Sequence, residues 1–266
     1  MDIIVTHIDT ACCHIQFGDY KILTDPVLDK ASGFYHHGYG AISKKRESPI
    51  LKNIELTEID LVLLSHPQHK DNFDKEGRKF SKTVPQILST KKIEKEFKNG
   101  KGLIPWQTFT VKAKDKTHEL KITATPAQHH PNWMPEFISG KVIGFYLESN
   151  TSEKSLYISG DTIYYKGIQE IAQKLNPTFS LIHVGSAELR YLAGLGKFTM
   201  DPKGFIETVK TLNSKITIPI HNSGWTHFKE NDKGIKRELA NEKELLKKKI
   251  FFIERGINTD LNDFKG

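Results

Sequence analysis

The stretch Ser65-His66-Pro67-Gln68-His69-Lys70-Asp71-Asn72-Phe73-Asp74 directly follows the apolar run Asp60-Leu61-Val62-Leu63-Leu64. A strand that empties into a tight loop rich in imidazole and carboxylate is a way to build a metal site from one short piece of chain. Those two ligand types suit a divalent metal of the zinc kind, and catalytic sites keep one position open for water. Taken by itself, the stretch reads equally as a polar loop in solvent. The other strand ends of the chain decide between the two.

The same arrangement recurs. His129 follows Leu120–Ala124 through the turn Thr125-Pro126-Ala127-Gln128. Asp161 follows Ser155-Leu156-Tyr157-Ile158 through Ser159-Gly160, and His221 directly follows Ile216-Thr217-Ile218-Pro219-Ile220. In open α/β sheets, ligands gather at the carboxyl ends of strands. His66, His69, Asp71, His129, Asp161 and His221 therefore form a set able to converge on one or two metal ions.

The remaining elements predict a two-sheet sandwich. Ile3–Val5, Cys13–Phe17 and Tyr20–Thr24 read as strands, with Gly18-Asp19 as a hairpin turn. Strands recur at Leu61–Leu64, Gln86–Leu88, Thr108–Val111, His118–Thr123, Val142–Glu148, Leu156–Ile158, Phe179–Val184, Ile216–Ile220 and Ile250–Ile253. Helical stripes run through Ile168, Ile171, Ala172 and Leu175, through Phe205, Ile206, Val209 and Leu212 after Asp201-Pro202, and over about Gly234–Lys247. Strand-rich halves with outer helices give an α+β fold, a four-layer αββα sandwich, over a single unit spanning 1–266.

Composition narrows the setting. Met1-Asp2-Ile3-Ile4-Val5 does not read as a signal peptide, and no run approaches the roughly 20 apolar residues of a membrane span. Cys12 and Cys13 are the two cysteines, adjacent in a strand, which excludes a disulfide framework and fits a reducing, cytoplasmic compartment. The net charge of +7 is spread over lysine-rich segments with interleaved glutamates. It predicts attraction toward small anionic substrates rather than specific nucleic-acid binding.

The order of these residues resembles the metallo-β-lactamase superfamily, whose signature is a His-x-His-x-Asp-His loop followed by a later His, an Asp and a final His. Within it the chain resembles the branch of metal-dependent hydrolases related to ascorbate-6-phosphate lactonases and N-acyl phosphatidylethanolamine phospholipase D enzymes. Thr6-His7 with Ile22-Leu23-Thr24-Asp25-Pro26, Thr125-Pro126-Ala127-Gln128-His129, Ser159-Gly160-Asp161-Thr162, and Pro219-Ile220-His221 with Gly224-Trp225 carry that resemblance. It departs at the loop: Gln68 stands two residues after His66, His69 three after, and Asn72 follows Asp71 where the family has an imidazole. The resemblance implies one intact metal position from His66, His69, His129 and a bridging Asp161. A second, from Asp71, Asn72, Asp161 and His221, is short of a ligand. Zinc is the expected ion, with manganese or iron as alternatives, in one or two copies.

Other residues are assigned around that site. Asp25 reads either as a carboxylate behind the ligands, holding an imidazole by its far nitrogen, or as a cap of the turn before Pro26. Tyr165 and His227 are candidate substrate-binding residues, joined by Tyr164 and Trp133, while the loops Leu28–Leu56 and Ser186–Met200 are long enough to shape a pocket. His183, inside an apolar strand, reads as a packing histidine, and His36, His37 and His130 as ordinary surface or packing ones. The expected function is a metal-dependent hydrolase that uses metal-bound hydroxide on an ester, lactone or phosphodiester bond, with Asp71 as the catalytic base. The alternatives are a degenerate sandwich that binds metal or ligand without turnover, and a nuclease.

Overall fold

The computed structural model describes residues 1–38, 41–112, 118–187 and 196–264. One sheet has the order β15-β1-β2-β3-β6-β7-β8. Its strands are β1 (Ile3–Asp9), β2 (Cys12–Phe17), β3 (Tyr20–Thr24), β6 (Leu61–Leu63), β7 (Gln86–Thr90), β8 (Gly100–Leu103) and β15 (Asn258–Asp260). The other has the order β14-β13-β12-β11-β10-β9, from β9 (Thr108–Lys112), β10 (Glu119–Pro126), β11 (Ile143–Ser149), β12 (Ser152–Ile158), β13 (Phe179–His183) and β14 (Ile216–Ile220). β4 (Phe34–Gly38) and β5 (Ala41–Lys44) pair as a separate hairpin within the long Leu28–Leu56 segment.

Alternation along the strands sorts the apolar residues into layers. Val5, Ile15, Phe17, Ile22 and Leu63 of the first sheet pack against Ile122, Phe145, Leu147, Leu181 and Ile218 of the second. The outer face of the first sheet buries Ile8, Leu23, Val62 and Ile87 with Phe73 and Phe97. The outer face of the second buries Tyr157 and Ile182 under α3 (Lys166–Leu175), α4 (Pro202–Leu212) and α5 (Asp232–Leu239), through Ile168, Phe205, Val209 and Ile235. The result is the αββα sandwich. Cys13 belongs to the inner cluster and Cys12 to the outer one, so the adjacent thiols lie on opposite faces, and both are free.

Several elements differ from the sequence reading, the β4–β5 hairpin among them. β8 escapes it because Gly100 and Gly102 look like a turn; a Cβ on Gly102 would stand 2.6 Å from the Lys91 backbone, so the glycine admits a neighbouring turn of chain. The helix expected over about Gly234–Lys247 is two, α5 and the short α6 (Glu244–Lys247). Leu245, left exposed, does not continue the apolar stripe. Ile250–Ile253 forms no strand: Ile250 makes one bridge to Thr217, and β15 takes the sheet edge beside β1 instead.

β3, β6, β7 and β8 run parallel, as do β12, β13 and β14. The carboxyl ends of both parallel sets lie at one edge of the sandwich, where Ile143 N donates to Ser65 O at 3.2 Å and joins the sheets. That edge is pinned by a buried cation. Lys45, with no exposed side-chain surface, sits 2.9 Å from Asp9 Oδ2 at the end of β1 and 3.5 Å from Asp74 Oδ2. Asp74 also caps α1 (Lys75–Ser81), accepting from Gly77 N at 2.8 Å. Removing one partner of a buried ion pair strands the opposite charge, so Lys45→Met is expected to lower the unfolding free energy by about 3–5 kcal/mol in urea melts. A loss under about 1 kcal/mol would mean that this pair does not hold the edge together.

Candidate metal centre

His66, His129 and Asp161 each stand three residues beyond the last residue of their strands, β6, β10 and β12. Their backbone turns aim the side chains into the seam between the sheets. At Gly160 the chain adopts φ 62°, and a Cβ there would come within 2.6 Å of Ile143 O, so only glycine lets the turn deliver Asp161. His66, Asp161 and His221 are fully buried, while His69 is partly open.

Hydrogen bonds fix which imidazole nitrogens carry protons. Phe198 O, which only accepts, lies 2.8 Å from His129 Nδ1, so Nδ1 is the N–H and Nε2 holds a lone pair. Ser65 Oγ donates to Asp25 Oδ1 at 2.8 Å and lies 2.9 Å from His66 Nδ1. The hydroxyl proton is committed to Asp25, so His66 Nδ1 donates to Ser65 and His66 Nε2 also presents a lone pair. Both Nε2 atoms then face His69 Nδ1, at 3.0 and 3.1 Å. A single proton on His69 Nδ1 cannot make two good hydrogen bonds. A cation satisfies all three nitrogens.

Asp161 Oδ2 completes this group at 3.8 Å from His66 Nε2 and 3.9 Å from His129 Nε2, and the four ligand atoms lie within 4.8 Å of one another. Ligand bonds of about 2.0–2.2 Å in a tetrahedron need donor atoms roughly 3.3 Å apart, which these separations bracket. Burial, with the neighbouring imidazole of His69, pushes His66 well below the usual histidine range, and burial also lowers His129. Neutral imidazoles are the metal-binding form. Burial alone would raise Asp161, but His221, the hydrogen bond from His183, His129 and His66 together hold it well below the usual carboxylate range.

Asp25 does not hold a ligand ring directly. It acts through Ser65, accepting from both Ser65 N and Ser65 Oγ at 2.8 Å. Gln68, at the family's second-histidine place, turns outward and donates Nε2 to Ser139 O and Lys141 O, each at 3.1 Å. His69 alone of the two faces the cluster. His221, at φ 61°, follows β14; its N–H and His7 Nε2 both reach Thr10 O at 2.9 Å, so His7 braces the turn that presents it. Burial opposes charge on His221, yet Asp161, Asp71 and Asp25 outweigh it and push its pKa up to about 9.

Asp71 stands beside this group, its Oδ2 2.9 Å from His227 Nε2 and 3.6 Å from His221 Nε2. His227 is thus a partner of Asp71. Asn72 is fully buried, and neither its side-chain oxygen nor its nitrogen has a hydrogen-bond partner among the described residues. Tyr165 is not brought to the site: it packs in the outer cluster with Tyr157 and α3, because its place at the start of α3 turns the ring under the helix. His183 corrects the sequence reading most sharply. It is fully buried, but its Nδ1 lies 2.8 Å from Asp161 Oδ1 and its ring stacks on His221 at 5.1 Å. Leu181 faces the inner core and Ile182 the outer one, so alternation puts His183 on the inner face at a strand's carboxyl end. The rule that found the other ligands applies to β13 as well. Arg190 and Tyr191 of the Ser186–Met200 loop lie outside the described residues.

A cleft of about 360 Å³ opens on His69, lined by Lys91, Lys92, Phe137, Ile138 and Lys141. A larger cavity of about 740 Å³, beside Tyr20, Asp60, Gln86 and Phe109, lies at the opposite strand ends and contains no group of the cluster.

Parallel strands of two facing sheets that converge on histidines and aspartates define a metallo-hydrolase sandwich. Residues 20–222 match the model of the beta-lactamase superfamily domain, and the chain belongs to that superfamily of metal-dependent hydrolases. A UPF0173 metal-dependent hydrolase of Thermoplasma acidophilum is 26% identical over 220 residues, 79% of each protein. A UPF0173 protein of Bacillus subtilis is 23% identical over 253 residues, 91% of this chain and 95% of its own length. The fold is similar to that of an isothiocyanate hydrolase from Delia radicum gut bacteria, with TM-score 0.77, 21% identity, and 96% and 98% of the two chains covered. It is also similar to a metallo hydrolase of the archaeon Ignicoccus hospitalis, with TM-score 0.69, 21% identity, and coverage of 98% and 99%.

The loop geometry separates two adjacent residues. His69→Ala is expected to release most bound metal in dialysis against metal-free buffer, whereas Gln68→Ala retains it, both followed by plasma mass spectrometry. Equal retention by the two variants would contradict the assignment of His69 to the cluster.

Proposed function

We propose that this chain hydrolyses an ester, lactone or phosphodiester bond of a small anionic substrate, with a divalent ion, zinc by default, held by His66, His69, His129 and Asp161. The observation that carries the reading is the trio of imidazole nitrogens that meet at 3.0 and 3.1 Å beside a buried carboxylate. A divalent ion in such a set lowers the pKa of a water molecule to about 7 and polarises a substrate oxygen.

The chain's own residues do the rest. Ser65 and Phe198 O fix the tautomers of His66 and His129, keeping their Nε2 lone pairs directed inward. Asp71 orients the attacking water and accepts its proton, and His227 Nε2, 2.9 Å away, steadies the carboxylate. Lys91, Lys92 and Lys141 in the cleft beside His69 favour a substrate with negative charge, and Phe137 offers it an apolar surface. Among the described residues no helix is long and apolar enough to cross a membrane.

The Asn72 amide, with no side-chain hydrogen-bond partner among the described residues, favours a rival, a sandwich that holds metal without turnover. A panel of ester, lactone, phosphodiester and isothiocyanate substrates, run with metal-loaded protein, separates the two. Asp71→Asn should cut turnover by roughly 100-fold to 10,000-fold while KM changes much less. Chelator treatment should abolish activity and added zinc or manganese restore it. Metal-loaded protein inert across the whole panel, with Asp71→Asn leaving ligand affinity unchanged, would establish the binder instead.

A further inference from the structure

The geometry points to a second cation position, made by Asp161, His183 and His221, in which His183 supplies the imidazole that the ligand loop lacks at Asn72. This rests on the metal-dependent reading above, shares Asp161 with it, and adds His183 and His221, which that reading does not use. Asp161 Oδ1, on the side away from the first group's Oδ2, lies 2.8 Å from His183 Nδ1 and 3.4 Å from His221 Nδ1. The ligand atoms of the three residues lie within 4.8 Å of one another, and all three residues are fully buried. Neither nitrogen of His221 has a hydrogen-bond partner among the described residues, and the same holds for His183 Nε2. Buried nitrogens left without a partner are costly, a cost that a bound cation removes.

The charges agree. Asp161 and Asp25 are both buried, and among the described residues their ion-pair contacts run only to histidines: His66, His129, His183 and His221 for Asp161, and His183 for Asp25 at 3.9 Å. Two buried carboxylates need compensating positive charge close by, which a bound cation supplies. The orientation of His221 explains why the set closes on His183. Its two nitrogens point away from each other, Nδ1 toward Asp161 and Nε2 toward Asp71, so one cation cannot take both acids through this ring. Asp71 pairs with His227 at 2.9 Å and lies outside this set. The position accepts a divalent ion suited to nitrogen and oxygen ligands, zinc, cobalt or manganese.

The alternative for His183 is a positioning role, an N–H that merely orients Asp161. Cobalt(II) titration of metal-free protein, followed by visible absorption and by mass-spectrometric metal content, tells them apart. Wild type should take up a tight first equivalent and a weaker second one. His183→Ala should lose the second equivalent and keep the first, which also reports that the variant is folded. His183→Gln, whose side-chain amide can still donate to Asp161, should likewise lack the second equivalent. A wild type that saturates at one cobalt, a His183→Ala variant that binds two, or recovery of the second equivalent in His183→Gln would each overturn the assignment. Wild type that binds no cobalt at all would instead sink the metal-dependent reading as a whole.

Discussion

Three imidazole nitrogens, two of them directed inward by hydrogen bonds to the far side of their rings, face one another at 3.0 and 3.1 Å with a buried carboxylate alongside. Lone pairs at that distance repel unless a proton or a cation lies between them, and the hydrogen bonds to Phe198 O and Ser65 remove the protons from the two Nε2 atoms. Much of the surrounding structure serves this constraint. The two parallel strand sets end at the same edge, Gly160 permits the turn that delivers Asp161, and Lys45 ties β1 to the cap of α1 beneath the ligand loop. The edge carries backbone strain as well: Asp25 and His221 both adopt left-handed conformations, at φ 32° and 61°. Strain of this kind costs on the order of 1–3 kcal/mol per residue and persists where the fold over-determines it, commonly at functional sites.

Asp161 is the pivot of the arrangement. Its Oδ2 looks toward His66 and His129 and its Oδ1 toward His183 and His221, so one side chain links two groups of ligands. Asp25 stands behind both, bonded to His66 through the Ser65 hydroxyl and 3.9 Å from His183. A carboxylate that orders ligands on two sides couples their positions. The floor of the site is buried, and past His69 it opens into the lysine-lined cleft.

Much of this was legible in the sequence, for a reason with physical content. Strand periodicity followed by a polar turn marks where a side chain leaves a sheet, and that rule singled out His66, His129, Asp161 and His221. It missed His183 because the residue closes a strand that is apolar on both faces, where a histidine looks like packing; inner-face alternation from Leu181 was the available signal. Tyr165 misled in the opposite sense. It was a candidate substrate-binding residue, but the start of α3 turns it into the outer layer. The offset in the ligand loop already pointed to His69 in the sequence, and the structure adds the reason: Gln68 bonds the chain around Ser139 and Lys141 and leaves the inward direction to His69.

The central claim is that imidazoles of His66, His69 and His129 surround one metal ion with Asp161. X-ray absorption on protein loaded with a single equivalent of zinc addresses it without depending on substrate. The account predicts a first shell of nitrogen and oxygen at about 2.0–2.1 Å with outer-shell scattering fitted by three imidazoles, reduced to two in His69→Ala. A first shell with at most one imidazole, or a spectrum unchanged by His69→Ala, would contradict it.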